Sequence, residues 1–375
     1  MNKTVRPAQL SDVDAIMSMC DHSRSIMRSN GNTTQWVNGY PSRQQIILDI
    51  EQQHGFLVVD SAVPVGYFAF IVGADPTYAV IEEGCWLDDD TPYGTIHRMA
   101  CAPGSNGVAH CGIDWCKRQA VSLRADTHAD NHIVQHILES EGFTYCGIIH
   151  IADGTPRRAY QLMRYPEVDA LLRAYVESEI LPRYAAFDAA HRRDHVLMVI
   201  AQSMALASYY PQLDKDMVYA IAAYHDTGLC EGRERHHIVS GEIMRSDEHL
   251  KDWFDEQQIA IMTEAVEDHR ASGGHDPHSL YGMIVAEADR NIEPVTIVRR
   301  TVQYGIQHYP QLELEGHWQR TLQHLQEKYS PTGYLKLYIP QSRNRQQLER
   351  LWQLIADLPR LRCLFEEIYF EIFPT

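Results

Sequence analysis

The spacing of hydrophobic residues changes near residue 166 of the chain. Before that point, short β-type runs such as GFLVV, VGYFAFIV and TYCGIIHI are separated by turn residues, with a few helical stretches between them. After it, apolar residues recur at helical intervals in VDALLRAYVESEI, HVLMVIAQSMALASYY and QQLERLWQLIADL, with almost no strand-like alternation. The pattern predicts a mixed α/β first half and an all-helical second half.

The segment MRYPEVD contains the predicted boundary between the two halves. Pro166 stops the last strand, and helical periodicity begins two residues later. A chain of 375 residues also suits two domains of roughly 150 to 200 residues each. We therefore expect one domain at residues 1–166 and a second at residues 167–375. The tail from about Tyr329 predicts a helix that packs on the second domain.

Composition narrows the classes of function. With 45% hydrophobic and 22% charged residues the chain is of globular type, and no apolar stretch approaches the roughly 20 residues that span a bilayer. The first residues lack a signal-peptide pattern and the eight cysteines form no CxxC pair, so we expect a soluble protein of the reducing cytoplasm. A formal net charge of −17 disfavours nucleic acids and favours small-molecule substrates.

In the first half, the stretch YGTIHRMACAPGSNGVAHCGIDWCKRQA predicts a strand, a glycine-containing loop and a helix that begins near Gly107. Unpaired amides at a helix start favour a phosphate group, and small residues at Gly107 and Ala109 let the backbone approach it; an ordinary turn explains the stretch as well. Further on, ADNHIVQHILESEGFTYCG predicts a helix capped by Asn131 and closed by Gly142, then a strand opening at Phe143.

The order of these elements, with ADNHIVQHILESEGFTYCG near the end and VRPAQLSDVDAI at the start, resembles the GCN5-related N-acetyltransferase (GNAT) family over roughly residues 3–163. The resemblance implies an N-acetyltransferase fold and activity, with acetyl-CoA or another acyl-CoA as cofactor. The amides that would hold it lie around Gly107, Val108 and Ala109. Asn131 and Tyr145 would lie near the thioester and pantetheine. Gly104 stands where the family's loop usually begins with Arg or Gln.

Acyl transfer to an amine requires a base that takes the ammonium proton and an acid that protonates the leaving thiolate. Tyr145 is the candidate acid, while Glu82, Glu83 or His97 is the candidate base, directly or through water. Each has a structural alternative, because the tyrosine can simply pack, the glutamates can be solvated and the histidine can be a satisfied strand residue. The loop NGNTTQWVNGYPS, with its Trp and Tyr, is a candidate acceptor pocket.

The second half is rich in metal-ligand residue types beside helical segments. They are His195 in RRDHVLMVIAQ, His225 and Asp226 in AYHDTGLC, His236 and His237 in RERHHIVSGEIM, His269 in AVEDHRASGG and Asp289 in IVAEADRN. A single histidine on a helix is usually structural or exposed. Imidazoles and carboxylates from separate helices can, however, converge on one divalent ion, and an aspartate can bridge two ions.

The ordered series H, HD, H, H, D resembles the HD-domain metal-dependent phosphohydrolases over roughly residues 168–375. The resemblance implies a first divalent ion, which can be Mn, Fe, Mg, Ni, Co or Zn. Its ligands would be His195, His225, Asp226 and Asp289. His236 and His269 match the extra positions of the two-metal subgroup, with Asp226 bridging both ions. His237 replaces His236 if the register slips by one residue.

Ions held in this way lower the pKa of a water and clamp phosphoryl oxygens, which implies hydrolysis of a phosphate ester or anhydride in a nucleotide or other small phosphorylated metabolite. The arginines available to hold it are Arg192, Arg193, Arg290, Arg299 and Arg300. His275 and His278 are expected on the surface. The whole chain is thus predicted to be a bifunctional acyltransferase and phosphohydrolase. The alternative is a non-catalytic sensor of acyl-CoA and of metal or nucleotide.

Overall fold

The computed structural model describes residues 3–187, 193–270, 275–290 and 292–373. The chain divides into two compact units, Met1–Pro166 and Glu167–Thr375, which we call the N-terminal and the C-terminal unit. Among the described residues, no helix combines the length and the apolar character needed to cross a membrane.

The N-terminal unit is a seven-stranded sheet covered by helices, as the mixed pattern predicted. Its strands are β1 (Thr4–Pro7), β2 (Gly55–Asp60), β3 (Val63–Val72), β4 (Tyr93–Cys101), β5 (Ser122–Thr127), β6 (Thr144–His150) and β7 (Pro156–Met163). Its helices are α1 (Val13–Ser29), α2 (Arg43–Glu51), α3 (Val108–Lys117) and α4 (His132–Ser140). The strand order is β1-β2-β3-β4-β5-β7-β6, and β4–β5 is the parallel pair while all other neighbours are antiparallel.

Alternation along the strands gives the sheet two apolar faces. On β3, Tyr67 belongs to the cluster that contains Ile16 of α1 and Ile46 of α2. The next residue, Phe68, belongs to the cluster on the opposite face with Val108 of α3. Both faces are therefore buried by helices, which explains the near-continuous apolar run of this strand.

The parallel strands β4 and β5 separate partway along their length. Their pairing runs from Tyr93↔Ser122 to Ile96↔Ala125 and ends there, although β4 continues to Cys101. Just beyond the last pair, Arg98 has a φ of +53° and the register between β3 and β4 shifts. This bulge turns the second half of β4 away from β5, because an extra residue bends the strand that carries it. The resulting gap in the sheet is where the first candidate site lies.

In the part of the C-terminal unit that the structure describes, all regular structure is helical, as predicted. Its helices are α5 (Ala170–Tyr175), α6 (Arg193–Ala207), α7 (Lys215–Tyr224), α8 (His236–Ser246), α9 (Glu256–Glu267), α10 (Leu280–Ala288), α11 (Pro294–His308), α12 (Leu314–Tyr329), α13 (Asn344–Ala356) and α14 (Leu358–Ile372). Helices α11 to α14 share a core that includes Val298, Trp318, Leu351 and Phe365.

The expectation of a helix from about Tyr329 onward is wrong for its first part, since helix α13 begins only at Asn344. The intervening segment is extended and irregular. Pro331 and Pro340 lack the amide that a helix needs. In addition, Gly333 packs so closely that a Cβ atom there would lie 2.5 Å from the carbonyl oxygen of Lys328. The irregular segment therefore packs against the end of α12, and the next helix, α13, begins only after it.

Candidate functional site

A cavity of about 1400 Å³ lies in the N-terminal unit, at the gap between β4 and β5. Its wall includes the loop and first turn of α3, with Gly107, Val108 and Ala109; the separated strand ends, with His97 and Asp126; and the loop before α2, with Trp36 and Tyr40. The predicted phosphate loop and the predicted acceptor loop thus line the same cavity.

The loop before α3 presents free backbone amides to this cavity. Gly107 is the N-cap residue with a φ of +68°, and no side chain caps the helix. The amides of the first helical turn have no partner within the helix by position. Gly104 also has a positive φ of +71°, and added Cβ atoms at Gly104 or Gly107 would meet no atom within 4 Å. The loop is therefore open to a ligand at the positive end of the helix dipole.

At the separated strand ends, His97 stands between two carboxylates. Its Nε2 lies 3.3 Å from Oδ2 of Asp75, and its Nδ1 lies 3.9 Å from Oδ1 of Asp126. The hydrogen bond with His97, more than opposing burial, lowers the pKa of Asp75 to about 2. The hydroxyl of Tyr78 donates to Asp126 over 2.6 Å, and burial and that carboxylate raise the pKa of Tyr78 well above its usual value.

The other residues proposed for this unit lie in different surroundings. Asn131 lines the cavity, but its Oδ1 accepts from the amide of Val134 and its Nδ2 donates to Gln35. Tyr145 is absent from the described cavity wall, and its ring contacts Tyr160 and the guanidinium of Arg158.

The glutamates proposed as bases are also absent from the described cavity wall. The Glu82 side chain is 59% exposed and lies 4.0 Å from His150, and Glu83 is exposed. The sequence analysis did not identify Asp75 and Asp126 as site residues. The sequence signal for them is weak, because Asp75 precedes a turn at Pro76 and Asp126 is an ordinary strand residue.

In the C-terminal unit, the first histidine group surrounds one oxygen of Asp226. Oδ2 of Asp226 lies 3.7 Å from Nε2 of His195 and 3.4 Å from Nε2 of His225. The Nε2 atoms of the two histidines are 3.4 Å apart, and Oδ1 of Asp289 lies 3.1 Å from Nε2 of His195. Residues from α6, the end of α7 and the end of α10 therefore meet at one point.

The second group surrounds the other oxygen of the same carboxylate. Oδ1 of Asp226 lies 3.4 Å from Nε2 of both His236 and His269, whose Nε2 atoms are 3.1 Å apart. His236, rather than its neighbour His237, belongs to this group. A Cβ atom on Gly228 would lie 2.2 Å from the carbonyl oxygen of His236, so a glycine is required for α8 to approach this closely.

The hydrogen-bond partners of these imidazoles indicate that the centre fits a cation. Nδ1 of His225, His236 and His269 lies 2.6 to 2.8 Å from a backbone carbonyl oxygen three residues earlier. A carbonyl only accepts, so Nδ1 carries the hydrogen and Nε2 of a neutral ring is left with a lone pair. The Nε2 atoms then face one another and two carboxylates, all of them acceptors. A divalent ion resolves this conflict, since a metal–nitrogen distance of about 2.0 to 2.1 Å places neighbouring ligands at about these separations.

The electrostatics of the centre show the same attraction for positive charge. Burial alone would lower the pKa of His225, but Asp226 and Asp289 outweigh it and raise the pKa to about 9, so without a metal ion a proton on this ring supplies the positive charge that the two carboxylates attract. Burial would raise the pKa of Asp226, but His225 and His269 hold it far below its usual range. With 5% of its side chain exposed, Asp226 carries a buried negative charge that attracts a positive one.

A third, smaller group lies on the loop after α9. Nδ1 of His278 lies 3.0 Å from Oδ1 of buried Asp268, and Nδ1 of His275 lies 3.7 Å from it. Both histidine side chains are 53% exposed, so both lie on the surface as expected from the sequence. Asp268 also accepts a hydrogen bond from the backbone amide of His278, so its carboxylate holds the loop in this conformation.

Of the candidate arginines, Arg192 lies outside the described residues.

The two sites define the class of protein: a mixed α/β unit with a large cavity at a gap in its sheet, followed by a helical unit with a histidine–aspartate centre. The HD domain family matches residues 192–291. A GNAT-family acetyltransferase from Streptococcus agalactiae is 32% identical, with 44% of this chain and 96% of that chain covered and a TM-score of 0.41. The chain therefore belongs to the GNAT acetyltransferase family in its N-terminal unit and carries an HD domain in its C-terminal unit.

More distant structures cover the same share of the chain. A GNAT-family acetyltransferase from Bacillus cereus is 15% identical, covering 44% of this chain and 99% of its own, with a TM-score of 0.31. AAC(6')-Ib, solved in complex with paromomycin and acetyl-CoA, is 17% identical, covering 44% of this chain and 94% of its own, with a TM-score of 0.34. A comparison with curated proteins finds no match.

Proposed function

We propose that the chain is a bifunctional enzyme, with an acyl-CoA-dependent N-acetyltransferase in front and a divalent-metal-dependent phosphohydrolase behind. The phosphohydrolase acts on a nucleotide or another small phosphorylated metabolite. The observation that carries the second activity is the carboxylate of Asp226, which turns one oxygen to each histidine pair. The observation that carries the first is a single cavity that joins the amide loop at Gly107 to the polar group around His97.

In the acetyltransferase, the amides of Val108 and Ala109 hold the pyrophosphate of acetyl-CoA or another acyl-CoA at the start of α3. At the separated strand ends, Asp75 accepts the Nε2 hydrogen of His97, which leaves a lone pair on Nδ1. Nδ1 takes the proton of the acceptor's ammonium group, and Asp126 attracts that group by its charge. We therefore infer that the acceptor is an amine that arrives as its ammonium form. Tyr145 as the acid and Asn131 beside the thioester remain predictions.

Replacing Gly107 with alanine should weaken acetyl-CoA binding about tenfold or more. The added Cβ points into open space at the loop, where the pyrophosphate approaches, and the φ of +68° is costly for any residue with a Cβ. Isothermal titration with acetyl-CoA measures the change. Gly73→Ala is the control, because Gly73 has a positive φ of +124° and equally open surroundings but lies outside the loop and outside the described cavity wall. Equal weakening in both variants would contradict the role of the loop.

In the phosphohydrolase, the residues that would hold one divalent ion are His195, His225, Asp226 and Asp289, and those that would hold a second are Asp226, His236 and His269. Bound ions of this kind supply a Lewis acid for phosphoryl oxygens and lower the pKa of a water. The chain's own residues fix the arrangement. The hydroxyl of Tyr184 donates to the carbonyl oxygen of Ala223 and accepts the amide of Asp226, which holds the end of α7 in place. The carbonyl partners of Nδ1 orient the rings.

The two adjacent histidines of α8 offer a matched test of the second ion. His236→Gln should lower the metal content by one ion per chain, because Nε2 of His236 lies 3.4 Å from Asp226 and 3.1 Å from His269. His237→Gln should keep the wild-type content. Elemental analysis of dialysed protein gives both numbers. The assignment is wrong if the two variants retain the same amount of metal.

The substrate class is tested with wild-type protein loaded with Mn²⁺, Co²⁺, Ni²⁺, Fe²⁺, Mg²⁺ or Zn²⁺ in turn. A panel of nucleotides and phosphorylated metabolites should show phosphate release that requires one of these ions and stops when a chelator is added. Turnover that is indifferent to the chelator would refute a metal-dependent reaction.

A further inference from the structure

Arg157 is a buried arginine in the wall of the N-terminal cavity, together with His97 and Asp126. The strand register places it there. Asp126 of β5 pairs with Ala159 of β7, and Arg157, two residues before Ala159, lies on the same face of the sheet. Although it lines the cavity, its side chain is only 9% exposed. The fold thus keeps a positive charge beside Asp126 at the cost of burying it.

The guanidinium of Arg157 uses little of its hydrogen-bonding capacity. Among the described residues it donates one hydrogen bond, from Nη1 to the carbonyl oxygen of Pro156 over 2.9 Å. Its Nε lies 4.0 Å from Oδ2 of Asp126, which is close enough for attraction but too far for a hydrogen bond. Because a guanidinium carries several N–H donors and no acceptor, most of its donors remain available to a ligand in the cavity.

The other arginine in the described cavity wall, Arg98, is already occupied. Its Nε and Nη2 donate to the two oxygens of Asp49, each over 2.8 Å, and its Nη1 donates to the hydroxyl of Tyr40 over 3.2 Å. The described wall contains no lysine. Arg157 is therefore the arginine of this wall whose charge is not hydrogen-bonded to a carboxylate.

We propose that Arg157 binds a carboxylate group of the acetyl acceptor, so that the acceptor is an amino acid rather than a simple amine. The inference rests on the proposed acetyltransferase function. Asp126 lies 3.9 Å from Nδ1 of His97 and 4.0 Å from Nε of Arg157. The nitrogen of an α-amino acid and its nearer carboxylate oxygen are about 3 Å apart, so an ammonium group at Asp126 brings the carboxylate within reach of Arg157. The planar guanidinium matches a carboxylate with two parallel hydrogen bonds.

The charges of an amino acid also match this arrangement. Its ammonium group faces the negative Asp126, and its carboxylate faces the positive Arg157. An amine without the carboxylate leaves the buried guanidinium without a ligand. A phosphorylated amine brings a second negative charge that one guanidinium does not neutralise. A site with a buried polar group rejects the analogue that leaves this group unpaired, so we expect strong discrimination against decarboxylated acceptors.

The first test compares amino acids with amines that lack only the carboxylate. The standard amino acids are screened with wild-type protein and acetyl-CoA, and the best one is compared with its decarboxylated amine, such as phenethylamine for phenylalanine. Thiol release should give a kcat/KM for the amino acid that is about tenfold or more above that for the amine. Acetylation of the amines that equals or exceeds that of every amino acid overturns the inference.

The neighbouring arginines of β7 provide a matched pair of variants. Arg157→Gln should lower the ratio of kcat/KM for the amino acid to that for its amine by about tenfold or more, because glutamine cannot supply the charged fork. Arg158→Gln should keep the ratio, since the Arg158 guanidinium lies outside the described cavity wall, 4.1 Å from the ring of Tyr145. The Kd for acetyl-CoA checks that both variants are folded. An unchanged ratio in Arg157→Gln contradicts the proposed role.

A binding experiment separates failure of this inference from failure of the proposed transferase. The same amino acids and amines are titrated calorimetrically into wild-type protein saturated with CoA, which has no acetyl group to transfer. The best amino acid should bind about tenfold or more tightly than its amine. Such binding without any turnover would count against the transferase and keep the carboxylate subsite. Acetyl transfer without a preference for the carboxylate, in rate or in binding, would keep the transferase and remove the subsite.

Discussion

Asp226→Asn should leave the protein with at most one divalent ion per chain and lower phosphate release by about 10³-fold or more. The carboxylate serves both histidine pairs, with Oδ2 3.4 Å from His225 and Oδ1 3.4 Å from His236 and His269. An amide of the same shape replaces one of these oxygens with an NH₂ group, which cannot ligate a cation. A Lewis-acidic ion contributes several kcal/mol to transition-state stabilisation, and each 1.36 kcal/mol corresponds to about a factor of ten in rate.

Two measurements separate this loss from a folding defect. Metal at about 100 times its Kd should stabilise wild-type protein by about 2.7 kcal/mol, and thermal unfolding should show this gain in wild type and little of it in Asp226→Asn. Asp252→Asn applies the same chemical change to an exposed aspartate of the C-terminal unit and should behave as wild type. A variant at position 226 that kept both ions and wild-type turnover would end the two-ion proposal.

The histidine–aspartate centre was accessible from sequence because its ligands stand beside strongly apolar helical segments. Helix α7 is buried from Met217 to Tyr224, so its register is fixed and the pair that follows must face the interior. The choice between His236 and His237 depended on where α8 begins and on the close approach at Gly228. The spacing of residues in the sequence reveals neither the start of α8 nor this close approach, because both depend on how the helices pack.

The surroundings of the candidate arginines were beyond reach for a related reason. Arg299 and Arg300 are neighbours on α11, yet Arg299 pairs with Glu371 and Arg300 is exposed. A one-residue step on a helix turns the side chain by about 100°, so adjacent arginines meet different surroundings. The tail after Tyr329 was predicted as a helix, whereas its first part folds back along the end of α12 and reaches α10 at Tyr338.

In the N-terminal unit, the features that depend on a few neighbouring residues, such as helix ends, were predicted from the sequence. The helix cap at Asn131 and the left-handed glycine at Gly142, with a φ of +91°, are readable from a few neighbouring residues. The group of Asp75, His97 and Asp126 is not, because its members come from the turn after β3, from β4 and from β5. They meet only because the bulge on β4 opens the sheet between the parallel strands.

His97→Gln should lower kcat for acetyl transfer by about 10²- to 10⁴-fold, the range associated with losing a positioned general base. Glutamine keeps a hydrogen-bonding group near Asp75 but cannot accept a proton from the acceptor's ammonium group. The Kd for acetyl-CoA should stay within about twofold of wild type, because the loop at Gly107 that binds the pyrophosphate is unchanged. Thiol release from acetyl-CoA, measured with the best acceptor from a panel of primary amines, gives kcat.

Three further variants test whether the loss of activity is specific to His97. Asp75→Asn should also lower kcat, because the amide can donate to Nε2 of His97 and favours the tautomer in which Nδ1 carries the hydrogen and cannot act as the base. His136→Gln changes an exposed histidine of α4 outside the described cavity wall and should keep the wild-type rate. Glu82→Gln should also keep it if His97 is the base. A full rate in His97→Gln together with a large loss in Glu82→Gln would return the role of base to Glu82.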